Sequence, residues 1–161
     1  IIEKALQNFR EFNCAAFDGE KGVVLSDVEE VVSKNKFLNF DDKYMSSTDI
    51  GHKIPADIAD KLRDRIMRIT KEIYMLFELK GVIRVDFLYA DNKLYVNEIN
   101  TIPGSMASYL FKSKKITYSD LIVSLVDAAK RCYDSRHKLS CDFASDVLKN
   151  FDGIKSEGIK K

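Results

Sequence analysis

Several features that would place a chain in a common functional class are missing from these 161 residues. The three cysteines, Cys14, Cys132 and Cys141, are odd in number and have neither metal-binding nor redox spacing, so we expect reduced thiols in a cytoplasmic protein. Because 26 basic residues balance 25 acidic ones, a strongly basic surface for nucleic acid or membranes is excluded. No apolar run is long enough to cross a bilayer, and neither an internal repeat nor a G-x-x-x-x-G-K phosphate loop occurs. The length and composition indicate one globular domain.

The most informative stretch consists of two alternating apolar runs, 82–89 and 94–100. The residues between them, 90–93, are turn formers, and this pattern is typical of a β-hairpin. We expect Ala90 to lie opposite Leu94 in this hairpin.

Four polar side chains interrupt these strands. With the expected pairing, Asp86 lies opposite Glu98 and Arg84 opposite Asn100, because side chains alternate along a strand. Two facing carboxylates repel each other unless a cation lies between them. Oxygen donors without nearby cysteine or histidine favour Mg²⁺, and Arg84 could donate to a phosphate or an oxyanion. A solvated hairpin face with a surface Arg84–Asp86 ion pair is the competing interpretation.

The motif R-V-D-F, followed after a short hairpin by V-N-E-I-N-T-I-P-G-S, resembles the metal-binding core of the D-alanine-D-alanine ligases of the ATP-grasp superfamily. The resemblance implies an α+β fold, the C-terminal subdomain of an ATP-grasp domain, with a mainly antiparallel sheet backed by helices. It implies that Asp86, Glu98 and Asn100 hold two Mg²⁺ ions, or Mn²⁺ in their place, that bridge the phosphates of ATP. Arg84 and the Gly104 amide would form the oxyanion hole for the tetrahedral intermediate.

The same resemblance assigns nucleotide contacts earlier in the chain. The residues it places around ATP are Glu3, Lys4, Leu6, Glu11, Phe37 and Lys43. Glu11 would bond the ribose and Lys43 the γ-phosphate, while the others would surround the adenine. The polar run 45–53 indicates a loop and resembles the lid of the family. Tyr44, before this run, would face the acceptor and favour a dipeptide over an ester product.

The chain departs from the family pattern after Gly104. Many members have a serine followed by an apolar residue where this chain has Tyr109 and Leu110. Either Ser108, one position earlier, seats the acceptor amino acid, or Tyr109 supplies its hydroxyl. D-Alanine, D-serine and D-lactate all remain candidate acceptors.

The remaining pattern predicts a second hairpin and two helices. The hairpin joins 10–17 to a run from Val23 through a turn at Asp18-Gly19. An apolar stripe at helical spacing predicts a helix within 55–79 that backs the sheet, through Ile58, Leu62, Ile66, Ile69, Ile73 and Leu76.

The second helix, 119–134, would begin at a cap formed by Ser119 or Asp120. We expect His52, in the polar loop, to be exposed rather than a ligand. Residues 1–136 would belong to the ATP-grasp domain and 137–161 to an extension whose last ten residues are disordered.

The resemblance implies ATP-dependent ligation of two D-alanines to D-alanyl-D-alanine through an acyl phosphate, for peptidoglycan precursor synthesis. The chain starts at Ile1 and has no glycine-rich phosphate loop, so we expect a fragment that is inactive alone. Its parent would supply N-terminal and central domains, form a homodimer, and bind ATP and D-alanine rather than nucleic acid or membranes. No residue stands out as the general base. The alternatives are another ATP-grasp carboxylate-amine ligase, a non-catalytic nucleotide-binding module, and a structural interaction domain.

Overall fold

A computed structural model of the chain describes residues 5–33 and 50–138. The strands are β1 (Arg10–Gly19), β2 (Gly22–Ser33), β3 (Ile50–Lys53), β4 (Val82–Ala90) and β5 (Lys93–Asn100). The helices are α1 (Asp60–Leu76) and α2 (Tyr118–His137), and a 3₁₀ segment, Gly104–Lys114, lies between β5 and α2. Within the described ranges, no helix is both long and apolar enough to span a membrane.

The five strands form one sheet in the order β3-β2-β1-β4-β5, and every neighbouring pair is antiparallel. This confirms the predicted α+β class with a mainly antiparallel sheet. The central strand β1 has buried apolar residues on both faces, which explains its imperfect alternation. Phe12 and Cys14 face the core formed with α1, whereas Ala15 and Phe17 face the core formed with the 3₁₀ segment and α2. The sheet is therefore covered by different elements on its two sides.

Both hairpin turns differ from the predicted ones, the first by two residues and the second by one. In the first hairpin Gly19 pairs with Gly22, so the loop is residues 20–21 rather than Asp18-Gly19. Gly22 has a φ of 114°, a conformation that glycine adopts without strain. In the second hairpin Ala90 pairs with Lys93 and not with Leu94.

The second turn is tight because its two central residues adopt positive φ. Asp91 has a φ of 50° and Asn92 a φ of 58°, as a type I′ turn requires. Asp and Asn tolerate this conformation better than most residues do. The sequence pattern therefore included Asp91 and Asn92 among the turn residues correctly, but it placed the start of β5 at Leu94 rather than at Lys93.

Helix α1 is shorter than predicted, and its buried stripe is partly different. The segment before it is held to β2, because the Ala56 N–H donates to the Val28 carbonyl at 2.7 Å. The buried residues of the helix are Ile66, Thr70 and Tyr74, which follow one another at intervals of four. Leu76 is 77% exposed, so its predicted place in the apolar stripe is wrong. The predicted packing of this helix on the sheet is confirmed for Leu62, Ile66, Ile69 and Ile73, and Ile58, which precedes the helix, packs in the same core.

Helix α2 begins directly after the threonine that caps it, so the predicted cap, Ser119 or Asp120, is wrong. Thr117 occupies the N-cap position, and its side chain accepts from the Asp120 N–H at 3.1 Å. Asp120 accepts in return from the Thr117 N–H at 2.9 Å, which completes a capping box. The spacing T-x-x-D in the sequence is that of a capping box, and it identifies Thr117 as the cap.

We expect Thr117→Ala to lower the free energy of unfolding by ~1 kcal/mol, because an orphan N–H of the first turn loses its acceptor. Urea unfolding of the two proteins measures the difference. Ser119→Ala, in the same exposed turn, is the matched control and should change stability by less than half as much. Equal losses from both variants would contradict the cap assignment.

Candidate functional site

The polar residues of the second hairpin face each other as predicted, although the residues that pair next to the turn are not the predicted ones. Asp86 is the register partner of Glu98, and Arg84 is the partner of Asn100. The register shifts between Asp86 and the next residue because Asn97 is an extra residue in β5, a β-bulge. The turn is one residue shorter than predicted, and the bulge adds one residue to β5, so the two changes cancel. Without it, Asp86 would lie opposite a different residue and the cluster would separate.

Arg84 binds Asp86 through two parallel hydrogen bonds. Arg84 Nε lies 2.7 Å from Asp86 Oδ1, and Arg84 Nη2 lies 2.9 Å from Oδ2. Asn100 Nδ2 also donates to Oδ2, at 2.9 Å. Asp86 is only 6% exposed. The hydrogen bonds to Asp86 raise the pKa of the Arg84 guanidinium further above its ordinary value, so Arg84 stays cationic. The ion pair of the competing interpretation therefore exists, but around a buried carboxylate rather than on a solvated face.

The polar cluster continues across the sheet beyond the hairpin. Asn13 on β1 is the register partner of both Asp86 on β4 and Glu29 on β2. Register partners project to the same side of a sheet. Glu29, Asn13, Asp86 and Glu98 therefore form one transverse row over four strands. Of this row, only Asp86 and Glu98 were predicted from the sequence.

Glu29 is the centre of a second hydrogen-bond group. Its side chain is fully buried, and among the described residues it has three side-chain partners, from β1, β3 and the 3₁₀ segment. Asn13 Nδ2 donates to Glu29 Oε2 at 2.9 Å, and the Tyr109 hydroxyl donates to the same oxygen at 3.1 Å. His52 Nδ1 lies 2.6 Å from Glu29 Oε1. A buried carboxylate needs such partners, because an unpaired one would be strongly destabilising.

His52 is half exposed, as predicted, but it lies on β3 and not in a loop. The predicted loop 45–53 is therefore wrong for its last residues, which pair with β2. The signal that could have found this group was the pair of polar residues, Asn13 and Glu29, inside otherwise apolar strands.

The chain after β5 makes a left-handed turn beside this cluster. Ser105, Met106 and Ala107 have φ values of 50°, 52° and 48°. Each costs roughly 1 kcal/mol or more for a residue with a Cβ atom. The Met106 N–H donates to the Pro103 carbonyl at 2.9 Å, which closes the turn. Backbone strain of this kind is concentrated at ligand-binding and active sites.

The predicted acceptor residues take different positions along the 3₁₀ segment. Gly104 is exposed, and a Cβ added there would meet no atom of residues 5–33 or 50–138 within 4 Å, so these residues leave the space beside its backbone open. Ser108 and Tyr109 are half-buried. Tyr109 reaches the polar cluster through Glu29. Leu110 is fully buried in the core shared with α2.

Two of the predicted nucleotide contacts can be placed in the structure. Leu6 precedes β1 and is half-buried. Glu11, also half-buried, lies two residues before Asn13 and so projects to the same face of β1. Several predictions lie outside the described residues. They are those for Glu3, Lys4, Phe37, Lys43, Tyr44 and Cys141, and for residues 139–161.

The donor set of the hairpin suits a hard divalent cation. Asp86, Glu98 and Asn100 supply only oxygen ligands once the Asn100 amide presents its Oδ1. Beside them, Asn13 Oδ1 is buried and has no hydrogen-bond partner within the described part of the chain. Across the described ranges, no group of three or more histidines, cysteines and carboxylates is arranged to hold a metal. A cation here would therefore rest on two carboxylates and an amide.

Comparisons with known proteins agree with this architecture. The chain is 37% identical to the D-alanine-D-alanine ligase of Thermosipho melanesiensis over 151 residues, which cover 92% of this chain and 40% of the relative. It is also 37% identical to that of Helicobacter pylori over 131 residues, covering 81% of this chain and 37% of the relative. The chain thus spans about 40% of the length of the curated relatives it matches.

Solved structures show the same fold. D-Alanyl-alanine synthetase A from Vibrio cholerae aligns with a TM-score of 0.66 at 22% identity, over 78% of this chain and 40% of that one. The D-alanine-D-alanine ligase from Helicobacter pylori aligns with a TM-score of 0.52 at 28% identity, over 76% of this chain and 33% of that one. The sheet and its covering helices are those of an ATP-grasp C-terminal subdomain. Residues 1–127 match the family described as D-ala D-ala ligase C-terminus, and this chain belongs to that family.

Proposed function

We propose that this chain is the C-terminal part of a cytoplasmic ligase that joins two D-alanines at the expense of ATP, in peptidoglycan precursor synthesis. The carrying observation is the arrangement of Arg84, Asp86, Glu98 and Asn100 in register on one sheet face. Residues 1–136 would belong to the ATP-grasp domain and 137–161 to an extension. The rest of a homodimeric parent would supply the N-terminal and central domains, and this chain alone would be inactive.

The reaction class sets what the site has to do. One D-alanine carboxylate takes the γ-phosphoryl group of ATP and releases ADP. The amine of the second D-alanine then attacks the resulting acyl phosphate, and inorganic phosphate leaves as the amide bond forms. The attack places negative charge on the former carbonyl oxygen. A preorganised cation in a site with little water stabilises such charge strongly. Arg84 is suited to this because Asp86 fixes its guanidinium in one orientation.

Asp86, Glu98 and Asn100 would hold Mg²⁺, or Mn²⁺ in its place. The bound cation would neutralise charge on the phosphates of ATP. The exposed position of Glu98 supports this assignment, because its carboxylate is free to turn toward a ligand above the sheet. The amide of Gly104, beside open space, would be the second donor to the oxyanion. Leu6 and Glu11 would contact the nucleotide together with Glu3, Lys4, Phe37 and Lys43, and Tyr44 would face the acceptor.

The acceptor side of the site would be formed by Gly104, Ser108, Tyr109 and Leu110. The full burial of Leu110 supports a role in shaping the pocket floor rather than in direct polar contact. The half-buried Ser108 hydroxyl and the Tyr109 hydroxyl remain the two candidates for polar contact with the acceptor.

The decisive experiment measures ADP release by the full-length protein with ATP, Mg²⁺ and D-alanine. We expect D-alanine-dependent ADP and dipeptide, and a fall in kcat/KM of at least about 10²-fold in Glu98→Gln, since a metal ligand matters at least as much as the groups that orient it. Glu30→Gln is the matched control, because Glu30 bonds Arg10 and lies on the other face of β2. ATP binding without turnover of any D-amino acid would overturn the ligase and leave a nucleotide-binding module.

A further inference from the structure

Asn13 carries a buried oxygen atom that the described residues leave without a hydrogen bond. The residue lies on the central strand β1, between Glu29 of β2 and Asp86 of β4, and it is only 4% exposed. Its Nδ2 donates to Glu29 Oε2 at 2.9 Å, whereas its Oδ1 accepts no hydrogen bond from residues 5–33 or 50–138. A buried carbonyl oxygen without a donor is costly, and native proteins rarely contain one. This oxygen therefore needs a partner.

The orientation of the Asn13 amide is set by its bond to Glu29. The Glu29 carboxylate accepts this hydrogen bond, so the atom that faces it has to be the amide nitrogen. Exchanging the two amide atoms would bring the Asn13 oxygen against another acceptor. The nitrogen and the oxygen of an amide point in different directions from the same carbon. Because β2 and β4 flank β1 on opposite sides, a nitrogen directed at β2 places the oxygen on the side of β4.

Asp86 is the register partner of Asn13 on that side. Directly opposed residues of two antiparallel strands have Cβ atoms about 4.5–5.5 Å apart and project to the same face, so the Asn13 amide and the Asp86 carboxylate lie side by side. Asp86 receives two hydrogen bonds from Arg84 and one from Asn100, which leaves about one of the four accepting positions of a carboxylate. Two neighbouring acceptors repel each other unless a donor or a cation lies between them.

We propose that Asn13 Oδ1 is a further ligand of the cation that Asp86, Glu98 and Asn100 would hold, which rests on the proposed function for the presence of that cation. The ligands would then come from three strands, β1, β4 and β5, rather than from the second hairpin alone. Mg²⁺ takes one or two carboxylates and completes its shell with other oxygens, and a neutral amide supplies one without adding charge. Glu29 would act behind Asn13, because it holds the amide in the orientation that presents the oxygen.

The first test locates the cation in crystals of the full-length protein grown with Mn²⁺ and a non-hydrolysable ATP analogue. Anomalous scattering identifies each Mn²⁺ position directly. We expect one ion that is bound by Asp86 and lies within about 2.6 Å of Asn13 Oδ1, the longest bond that hard divalent cations make to oxygen. Ions that all lie farther from this oxygen would overturn the proposal. Crystals in which no Mn²⁺ binds at the hairpin would overturn it as well.

The second test measures the affinity of the full-length protein for Mn²⁺, without nucleotide, from the EPR signal of the free ion. We expect Asn13→Leu, which has a similar size but no oxygen, to weaken binding by at least about 10-fold, since even groups that only orient ligands contribute this much. Glu29→Gln is the matched control, because its carbonyl oxygen still accepts from Asn13 Nδ2, and it should weaken binding by less than about threefold. Equal losses from the two variants would assign the effect to the bond with Glu29 and overturn the proposal.

Neither measurement depends on turnover, and the crystals of the unaltered protein decide the question even if Asn13→Leu folds poorly. Full-length protein that binds Mn²⁺ through Asn13 but releases no ADP with D-alanine would overturn the proposed ligase and support the added ligand. An active ligase whose ions do not contact Asn13 would overturn the added ligand alone. The two failures are therefore distinguishable.

Discussion

Asp86→Asn in the full-length protein is expected to lower kcat/KM for D-alanine-dependent ADP release by about 10³-fold, the upper end of what loss of one preorganised electrostatic group costs. The reason is that Asp86 would have two roles at once. It would be a ligand of the cation, and its carboxylate also accepts hydrogen bonds from Arg84 Nε at 2.7 Å and from Arg84 Nη2 at 2.9 Å. An asparagine has the same shape but neither the charge nor the second accepting oxygen. Steady-state kinetics at saturating Mg²⁺ measure the loss.

The control for this variant is again Glu30→Gln, which removes a glutamate that is also paired with an arginine. It should retain kcat/KM within about twofold, since that pair lies on the opposite face of the sheet. Raising the Mg²⁺ concentration should recover only part of the activity of Asp86→Asn, because the metal cannot restore the orientation of Arg84. Full recovery by Mg²⁺ would show that Arg84 needs no carboxylate partner.

The hairpin cluster could be predicted because its residues are close in sequence and strand periodicity is simple. Alternation alone placed Arg84 with Asp86 and Glu98 with Asn100, and antiparallel pairing brought the two pairs together. The assumed starting pair, Ala90 with Leu94, was nevertheless wrong. The prediction succeeded because a bulge at Asn97 and a tighter turn shift the register in opposite directions.

The Glu29 group could not be predicted because its members are distant in sequence. Glu29 and Asn13 meet only when β1 and β2 pair, and Tyr109 joins them from a segment 80 positions further along the chain. A single glutamate inside an apolar strand shows that a partner is needed, but not which residue supplies it. Only the fold of the 3₁₀ segment over the sheet makes Tyr109 that partner.

Aromatic packing under the 3₁₀ segment holds this arrangement in place. Phe111 is fully buried, two residues after Tyr109, and its ring meets Phe17 of β1 edge to face at 5.2 Å. Leu110 and Leu121 complete the same core. The strained left-handed turn before it has to be balanced by favourable packing of this kind.

Phe111→Ala is therefore expected to lower the free energy of unfolding by about 3–5 kcal/mol, the usual cost of removing a fully buried phenylalanine. Urea unfolding followed by tyrosine fluorescence measures it. Tyr118→Ala removes an aromatic ring that is 54% exposed, and we expect a change within about 0.5 kcal/mol. A loss below about 1 kcal/mol for Phe111→Ala, against the range for buried aromatic residues, would mean that the 3₁₀ segment contributes little to the folded core. Another interaction would then have to hold Tyr109 within hydrogen-bonding distance of Glu29.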